Sequence, residues 1–467
     1  MNGRVNFVHP YIPNSVSDVR SEMLAEIGAT NIEQLYKEMI PDRLRLKRPM
    51  NLPNALPSEY DLMKHVQGIL SHNRTCEEFL NFLGSGCWQH YVPAVCDHVS
   101  QRSEFLTSYA GETYSDLGRY QSFFEFQSML GELVGMDVVG IPTYDWGASA
   151  ANAIRMASRI SGRKQVLISR NVSPQRLAII RNFCQQNEMP GHIKTGVLNS
   201  NLEDGTIDLD DLKTKITKET AAVYFENPSY LGTIEGRGNE VSEVAHDYGA
   251  ESIVGVDPIS LGVLAPPSEY GADIACGDIQ PLGIHMFCGG GLGGFIACRD
   301  DEKYVVQHPS FLISITDTER AGEFGFGHCK FDRTSFVGRE KGKDWTGTTA
   351  ALWAIVAAVF MALMGPEGIR EIGEAILQKS HYAAKRLSEV RGVSIPFNVF
   401  FKEFVVSFHA KTVQDINREL LKHNIFGGKD ISSEFPEFGQ SSIYSVTEMH
   451  SAQDIEKLAR SLEATMK

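Results

Sequence analysis

The chain has 467 residues, 42% of them apolar and 22% charged, an ordinary balance for a folded protein long enough to hold a large core and more than one structural unit. Its formal net charge of −14 argues against nucleic acid and anionic membrane surfaces as partners, since both select for an excess of Lys and Arg. The eight cysteines include no CxxC pair, so they read as buried reduced thiols and no metal site is expected.

Residues 1–70 read as an arm. Tyr11-Ile-Pro-Asn14 leads into a helical pattern through Met23, Leu24 and Ile27 that Gly28 ends. A Pro-punctuated crossing from Asn51 follows, then a second helix with Leu62, His65, Val66 and Ile69 on one face. No basic segment followed by a long apolar one opens the sequence, so no secretory signal is expected and the expected compartment is the cytoplasm.

From Ser122 to Val134 the apolar residues Phe123, Phe126, Leu130 and Val134 recur at helical spacing. A short strand-like exit at 135–142 and a turn at 143–147 precede a helix of small residues, 148–160. The chain then alternates. Strands are predicted at 165–169, 193–198, 221–226, 252–257, 272–277 and 293–298. Helices are predicted at 174–186, 208–217 and 239–248. Short apolar strands separated by helices specify a mostly parallel sheet covered on both faces, with its ligand at the carboxyl ends of the strands. The apolar run 350–364 is too short to cross a bilayer and reads as a buried helix. A second helix at 366–387, strands at 399–408 and 442–447, and helices at 413–423 and 452–466 end the chain as a small α+β domain. The predicted division is therefore an arm (1–70), a large α/β domain (71–365) and a small α+β domain (366–467).

Three features carry chemistry. Asp257 closes the run Ser252-Ile-Val-Gly-Val-Asp257, so it stands at a strand's carboxyl end. A carboxylate there can hold a pyridinium nitrogen protonated, as pyridoxal phosphate needs, or it can simply cap the turn before Pro258. Ser149, in Gly147-Ala-Ser-Ala-Ala151, lies where a small-residue turn opens a helix and could offer N–H groups to a phosphate. The segment Asp278-Ile-Gln-Pro-Leu-Gly-Ile-His-Met-Phe-Cys-Gly-Gly-Gly holds no lysine, although a pyridoxal enzyme of this plan keeps its Schiff-base lysine between the Asp strand and the glycine turn. His90 and His98 do not share a helix face, and His90 reads as a satisfied or stacking histidine.

Several ordered segments together resemble subunit 1 (alpha) of the two-chain glycine decarboxylase, the P-protein of the glycine cleavage system, from about Tyr11 to Leu462. They are Tyr11-Ile-Pro-Asn, Met23-Leu-Ala-Glu-Ile-Gly, Phe82-Leu-Gly-Ser-Gly, His90-Tyr-Val-Pro-Ala-Val, Phe124-Glu-Phe-Gln-Ser-Met, Asp257-Pro-Ile-Ser-Leu-Gly-Val-Leu, Gly277-Asp-Ile-Gln-Pro-Leu-Gly-Ile, Lys402-Glu-Phe-Val-Val and Val446-Thr-Glu448. The resemblance implies the pyridoxal-phosphate-dependent transferase-like architecture (fold-type I). It also implies a beta partner that covalently holds the pyridoxal phosphate through its own lysine, an α₂β₂ assembly, and glycine cleavage to CO₂ with the aminomethyl group passed to the lipoyl arm of the H-protein.

Ser149, Asp257 and Gln280 are then the cofactor cradle, working or relict, and Tyr109, Glu112, Tyr114 and Arg339 face the substrate side. The sequence departs from the family pattern at Tyr109-Ala-Gly-Glu-Thr-Tyr-Ser-Asp-Leu-Gly-Arg119 and, after Arg339-Glu-Lys341, at Gly342-Lys-Asp-Trp-Thr-Gly-Thr348. Those departures leave two alternatives: a paired subunit acting on another amino acid or amine, and a non-catalytic scaffold for a cofactor-bearing partner.

Overall fold

The computed structural model describes residues 8–9, 11–48, 50–56, 58–86, 88–106, 117–185, 189, 191–334, 337–338, 340, 342–346 and 349–467. The chain divides into two compact units, Met1–Arg74 and Thr75–Lys467. The first carries helices Ser17–Glu26, Ile32–Met39 and Glu59–Leu70. Two of these start on side-chain caps: Asn31 accepts from the Gln34 N–H, and Ser58 accepts from the Asp61 N–H.

The second unit is built on a seven-stranded sheet. Its strands in chain order are β1 (Val138–Val139), β2 (Gln165–Ser169), β3 (Lys194–Leu198), β4 (Thr220–Glu226), β5 (Glu251–Val256), β6 (Ile274–Asp278) and β7 (Gly294–Cys298). Their spatial order is β1-β7-β6-β5-β4-β2-β3. The strands β2 to β6 run parallel, and β7 pairs antiparallel with both β6 and β1. All seven residues of β4 and five of the six in β5 are buried, which is why these strands read as unbroken apolar runs.

Helix α1 (Tyr120–Val134) buries the predicted stripe of Phe123, Phe126, Leu130 and Val134. Helix α2 (Trp146–Ser161) buries Ala148, Ala150, Ala151, Ala153 and Ala157, and these small residues let it lie close on β4 to β7. The approach is tightest at Gly294, where a Cβ would stand 2.0 Å from the Asp145 carbonyl oxygen and 2.3 Å from Ser149 Oγ. Only glycine fits there.

The two helices expected at 350–364 and 366–387 form one element, α3 (Ala351–Ser388), broken by non-helical backbone at Gly365 before Pro366. It meets the length and apolarity of a membrane-spanning helix by composition alone. Its residues Ala354, Ile355, Ala357, Phe360 and Met361 are nonetheless part of the main core beside α1. A four-stranded antiparallel sheet follows, ordered Val393–Ser394, Glu403–Phe408, Ser441–Ser445, Lys429–Asp430. Helices Val413–Lys422 and Ala452–Met466 close its core through Ile416, Leu420, Ile455, Leu458 and Leu462. The hairpin Ile313–Asp317 with Phe324–His328 was not expected from the sequence. The described cysteines divide: Cys96, Cys184, Cys276 and Cys298 are buried as expected, Cys76 and Cys329 are partly buried, and Cys288 is exposed, while Cys87 lies outside the described residues.

Candidate active site

The carboxyl ends of β4 and β5 and the start of α2 converge on one enclosed point. Asp257 follows β5 directly, and its two oxygens are used differently. Oδ1 accepts the Ile259 N–H at 3.1 Å and so caps the turn Pro258–Gly262. Oδ2 is paired with the Lys402 ammonium at 2.6 Å. Both side chains are almost fully buried, 6% and 2% exposed. The cap of the turn, one of the two readings the sequence allows, is present.

Lys402 sits one residue before the strand Glu403–Phe408 of the small sheet. Its Nζ lies 3.5 Å from the centre of the Trp88 ring and 3.0 Å from His90 Nε2. An ammonium only donates, so His90 Nε2 must accept; the ring's proton is then on Nδ1, facing Glu448 Oε2 at 2.9 Å. Glu448 also accepts the Tyr91 N–H at 2.7 Å. Burial alone would raise the Glu448 carboxyl, but the hydrogen bonds from His90 Nδ1 and the Tyr91 N–H favour its charged form. Asp257, Lys402, His90 and Glu448 thus form a buried relay of alternating partners.

The next layer is also paired. Arg176 makes a two-pronged contact with Glu226 at the end of β4, at 2.7 and 2.6 Å, and stacks over Trp146 at 4.2 Å. Tyr224 donates to Glu226, and Trp146 Nε1 donates to Tyr224. Glu403 accepts the Ser85 N–H, and burial raises its carboxyl against that bond.

The start of α2 is filled by carboxylates. The sequence places the helix start at residue 148; it is at Trp146, with Asp145 as the N-cap accepting the Ala148 N–H at 2.7 Å. Asp278, the last residue of β6, accepts the N–H groups of Trp146, Gln280 and Gly293. Burial pushes Asp278 up to about 6 even though the Gln280 and Gly293 N–H bonds favour its charge. Ser149 does not present its hydroxyl to this helix start. It is fully buried, with Oγ 2.7 Å from Thr143 Oγ1. Gln280 is buried and ties the loop together, its Nε2 donating to the carbonyls of Ile284 and Trp88.

These residues do not fit a pyridoxal phosphate. The loop from Ile279 to Gly293 has no lysine. Asp257 already carries an intrachain counter-cation, and the N–H groups of Trp146 and Ala148 already hold carboxylates. The space bounded by Trp88, Trp146, Arg176, Asp257, Lys402 and Glu403 measures about 20 Å³, room for about one water. Of the described sequence-predicted site residues, Asp257 lines it; Ser149 is bonded to Thr143 instead, and the Gln280 N–H to Asp278. Tyr109, Glu112, Tyr114 and Arg339 lie outside the described residues.

Sequence reasoning missed Lys402 as the partner of Asp257. A signal was present: Lys402-Glu403 is a charged pair inside the otherwise apolar run Val399-Phe-Phe-Lys-Glu-Phe-Val-Val406, and buried charges are seldom kept without partners.

The chain matches the family model for the glycine cleavage system P-protein over residues 9–462. A probable glycine dehydrogenase (decarboxylating) subunit 1 from Staphylothermus marinus is 38% identical over 464 residues, covering 97% of each chain. A protein of the same description from Pyrococcus horikoshii is 39% identical over 457 residues, covering 97% of this chain and 98% of its own. Among solved structures, an inhibitor-bound glycine decarboxylase (P-protein) superposes with a TM-score of 0.84 at 31% identity, over 98% of this chain and 100% of the other. That match gives the large domain and the small α+β domain the fold-type I architecture of pyridoxal enzymes. A sphingosine-1-phosphate lyase from Burkholderia pseudomallei, 12% identical with a TM-score of 0.66 over 91% of this chain and 94% of its own, shares the fold alone. Since the family model takes in almost the whole length and the relatives align end to end, the chain belongs to the glycine cleavage system P-protein family.

Proposed function

We propose that this chain is the cofactor-free alpha subunit of a glycine-decarboxylating enzyme, working with a lysine-bearing beta subunit in an α₂β₂ assembly in the cytoplasm. The observation that carries this reading is the combination of a full-length family match with a cradle whose ring-binding carboxylate is already neutralised by Lys402 and whose loop lacks a lysine. The partner's pyridoxal phosphate supplies the electron sink for loss of CO₂ from glycine. The aminomethyl group then passes to the lipoyl arm of the H-protein.

This chain's contribution to the shared site is the substrate side. Tyr109, Glu112, Tyr114 and Arg339 carry it, on segments that belong to the large domain, 71–365. The arm, 1–70, and the small domain, 366–467, complete the functional division.

The test is reconstitution. Each chain is purified alone and together, reduced with borohydride after incubation with pyridoxal phosphate, and mapped by mass spectrometry. CO₂ release from glycine is measured with lipoylated H-protein. The expected result is a single phosphopyridoxyl-lysine on the partner and turnover only when both chains are present. Stoichiometric labelling of one lysine in this chain refutes the reading. Full turnover by a complex carrying alanine at Tyr109, Glu112 and Arg339 reduces the chain to a scaffold.

A further inference from the structure

The ion pair at the end of β5 joins two residues that nothing in the sequence requires to be charged together. Asp257 is where the fold presents a carboxylate to a ring cation, and the ammonium of Lys402 stands on it at 2.6 Å. The surroundings of that ammonium are those a bound organic cation would need. An aromatic face is supplied by Trp88 at 3.5 Å, and an acceptor by His90 Nε2 at 3.0 Å. His90 is oriented in turn by Glu448. At the other end, the N–H groups of Trp146 and Ala148, which open α2, hold the carboxylates of Asp278 and Asp145. A cation therefore fills the ring end and carboxylates fill the phosphate end.

We propose that the relict cradle of this chain is self-liganded: Lys402 is its built-in cation, held in a slot formed by Asp257, Trp88 and His90, and this side chain keeps the chain closed to vitamin B6 phosphates. The inference rests on the proposed function only for the identity of the excluded cofactor. It assigns Lys402 a positioning role, with no part in the chemistry. It also explains why about 20 Å³ is all the space that remains beside two tryptophans, an arginine and a lysine.

Removing the side chain beyond Cβ makes the slot vacant and leaves Asp257 without its counter-charge. A small alkylammonium ion should then enter and restore the pair. The experiment is a thermal-unfolding titration of the full chain with n-butylammonium chloride, with sodium chloride as the ionic-strength control. Lys402→Ala should melt below the wild type and regain stability saturably with n-butylammonium, the rise growing with the logarithm of its concentration. The wild type and the Asp257→Asn/Lys402→Ala double variant should show no specific rise. A folded Lys402→Ala protein that ignores n-butylammonium overturns the proposal.

In parallel, the wild-type chain is dialysed to equilibrium against pyridoxamine 5′-phosphate, which forms no Schiff base with surface lysines. No stoichiometric binding is expected. One-to-one binding that quenches tryptophan fluorescence overturns the proposal. If Lys402→Ala alone fails to fold, the Asp257→Asn/Lys402→Met variant, which removes both charges, decides. Its folding attributes the failure to the unpaired carboxylate, as proposed, and its failure attributes the defect to packing and overturns the proposal. None of these readouts uses turnover, so an inactive complex that still shows them would count against the glycine reaction alone.

Discussion

Glu448 gives the most quantitative test of the buried relay. Its carboxyl is held below the ordinary 4.5. The hydrogen bonds from His90 Nδ1 and the Tyr91 N–H to the charged carboxylate stabilise the folded state by about 1.5–3 kcal/mol at neutral pH. The sign follows from the direction of the change. Because the folded-state value is depressed, the stabilisation is fully present above the ordinary carboxylate range and is lost as pH falls from about 4.5 through the lowered folded-state value. Glu448→Gln keeps the shape and one acceptor but removes the charge, so the variant should be about 1.5–3 kcal/mol less stable at pH 7, with the gap narrowing steadily below about pH 4.5. Urea unfolding of the full chain at a series of pH values, followed by tryptophan fluorescence, measures both. The variant minus wild-type difference isolates Glu448 from the other carboxylates, which titrate in both proteins. A gap that stays constant from pH 7 to pH 3, or that is absent at pH 7, refutes the assignment of His90 and Tyr91 as the groups that hold the charge.

Arg176→Met should destabilise the chain by about 3–5 kcal/mol, because it strands the fully buried carboxylate of Glu226 without its counter-charge; adding Glu226→Gln should recover most of the loss, and a double variant no better than the single would refute this. Gly232→Ala should abolish soluble expression, since its φ is +83° and a Cβ would stand 1.9 Å from the Glu403 carbonyl oxygen. Gly289→Ala, with a similar φ of +86° and open space around it, should cost only the left-handed backbone term of about 1 kcal/mol. Yields and melting temperatures of the two variants check the contrast. Iodoacetamide under native conditions should label exposed Cys288 long before Cys276, whose thiol burial and Glu226 push up. Equal native labelling of both by peptide mapping would contradict the placement of Cys276 in the sheet.

The large sheet was legible because its strands are buried on both faces. An apolar run such as Ala221-Ala-Val-Tyr-Phe225 has no competing reading when helical patterns flank it. The hairpin at 313–328 escaped for the opposite reason. Four of the five residues of Ile313–Asp317 are exposed, so burial leaves no pattern in their identities. The start of α2 was misplaced by two residues because Trp146 and Gly147 resemble turn residues, whereas the Asp145 side chain, bonded to the Ala148 N–H, sets the true boundary. Asp257 was legible as a carboxylate at a strand end. Its partner was not, because the charged pair Lys402-Glu403 in an apolar run signals a buried charge without naming the distant residue that meets it.

The charges around Asp257 call for a physical reason, since a buried ion pair is seldom the most stable way to fill a cavity and well-packed apolar side chains do as well or better. What charges offer is direction. Asp257 ends β5 of the large sheet, while Lys402 enters, and Glu448 follows, the central strands of the small sheet. Glu403, on the same strand as the small sheet's core, is bonded to Ser85, and Arg176 on the large-domain side pairs with Glu226. Such contacts are directional, and the Asp257–Lys402 pair joins the start of the small sheet to the carboxyl end of β5. Apolar packing at the same place would allow sliding. On the function proposed above, a chain that works against a partner subunit gains from a rigid joint between its two sheets. The self-filled cradle is that joint, and the pH dependence of Glu448 reads out how firmly it is tied.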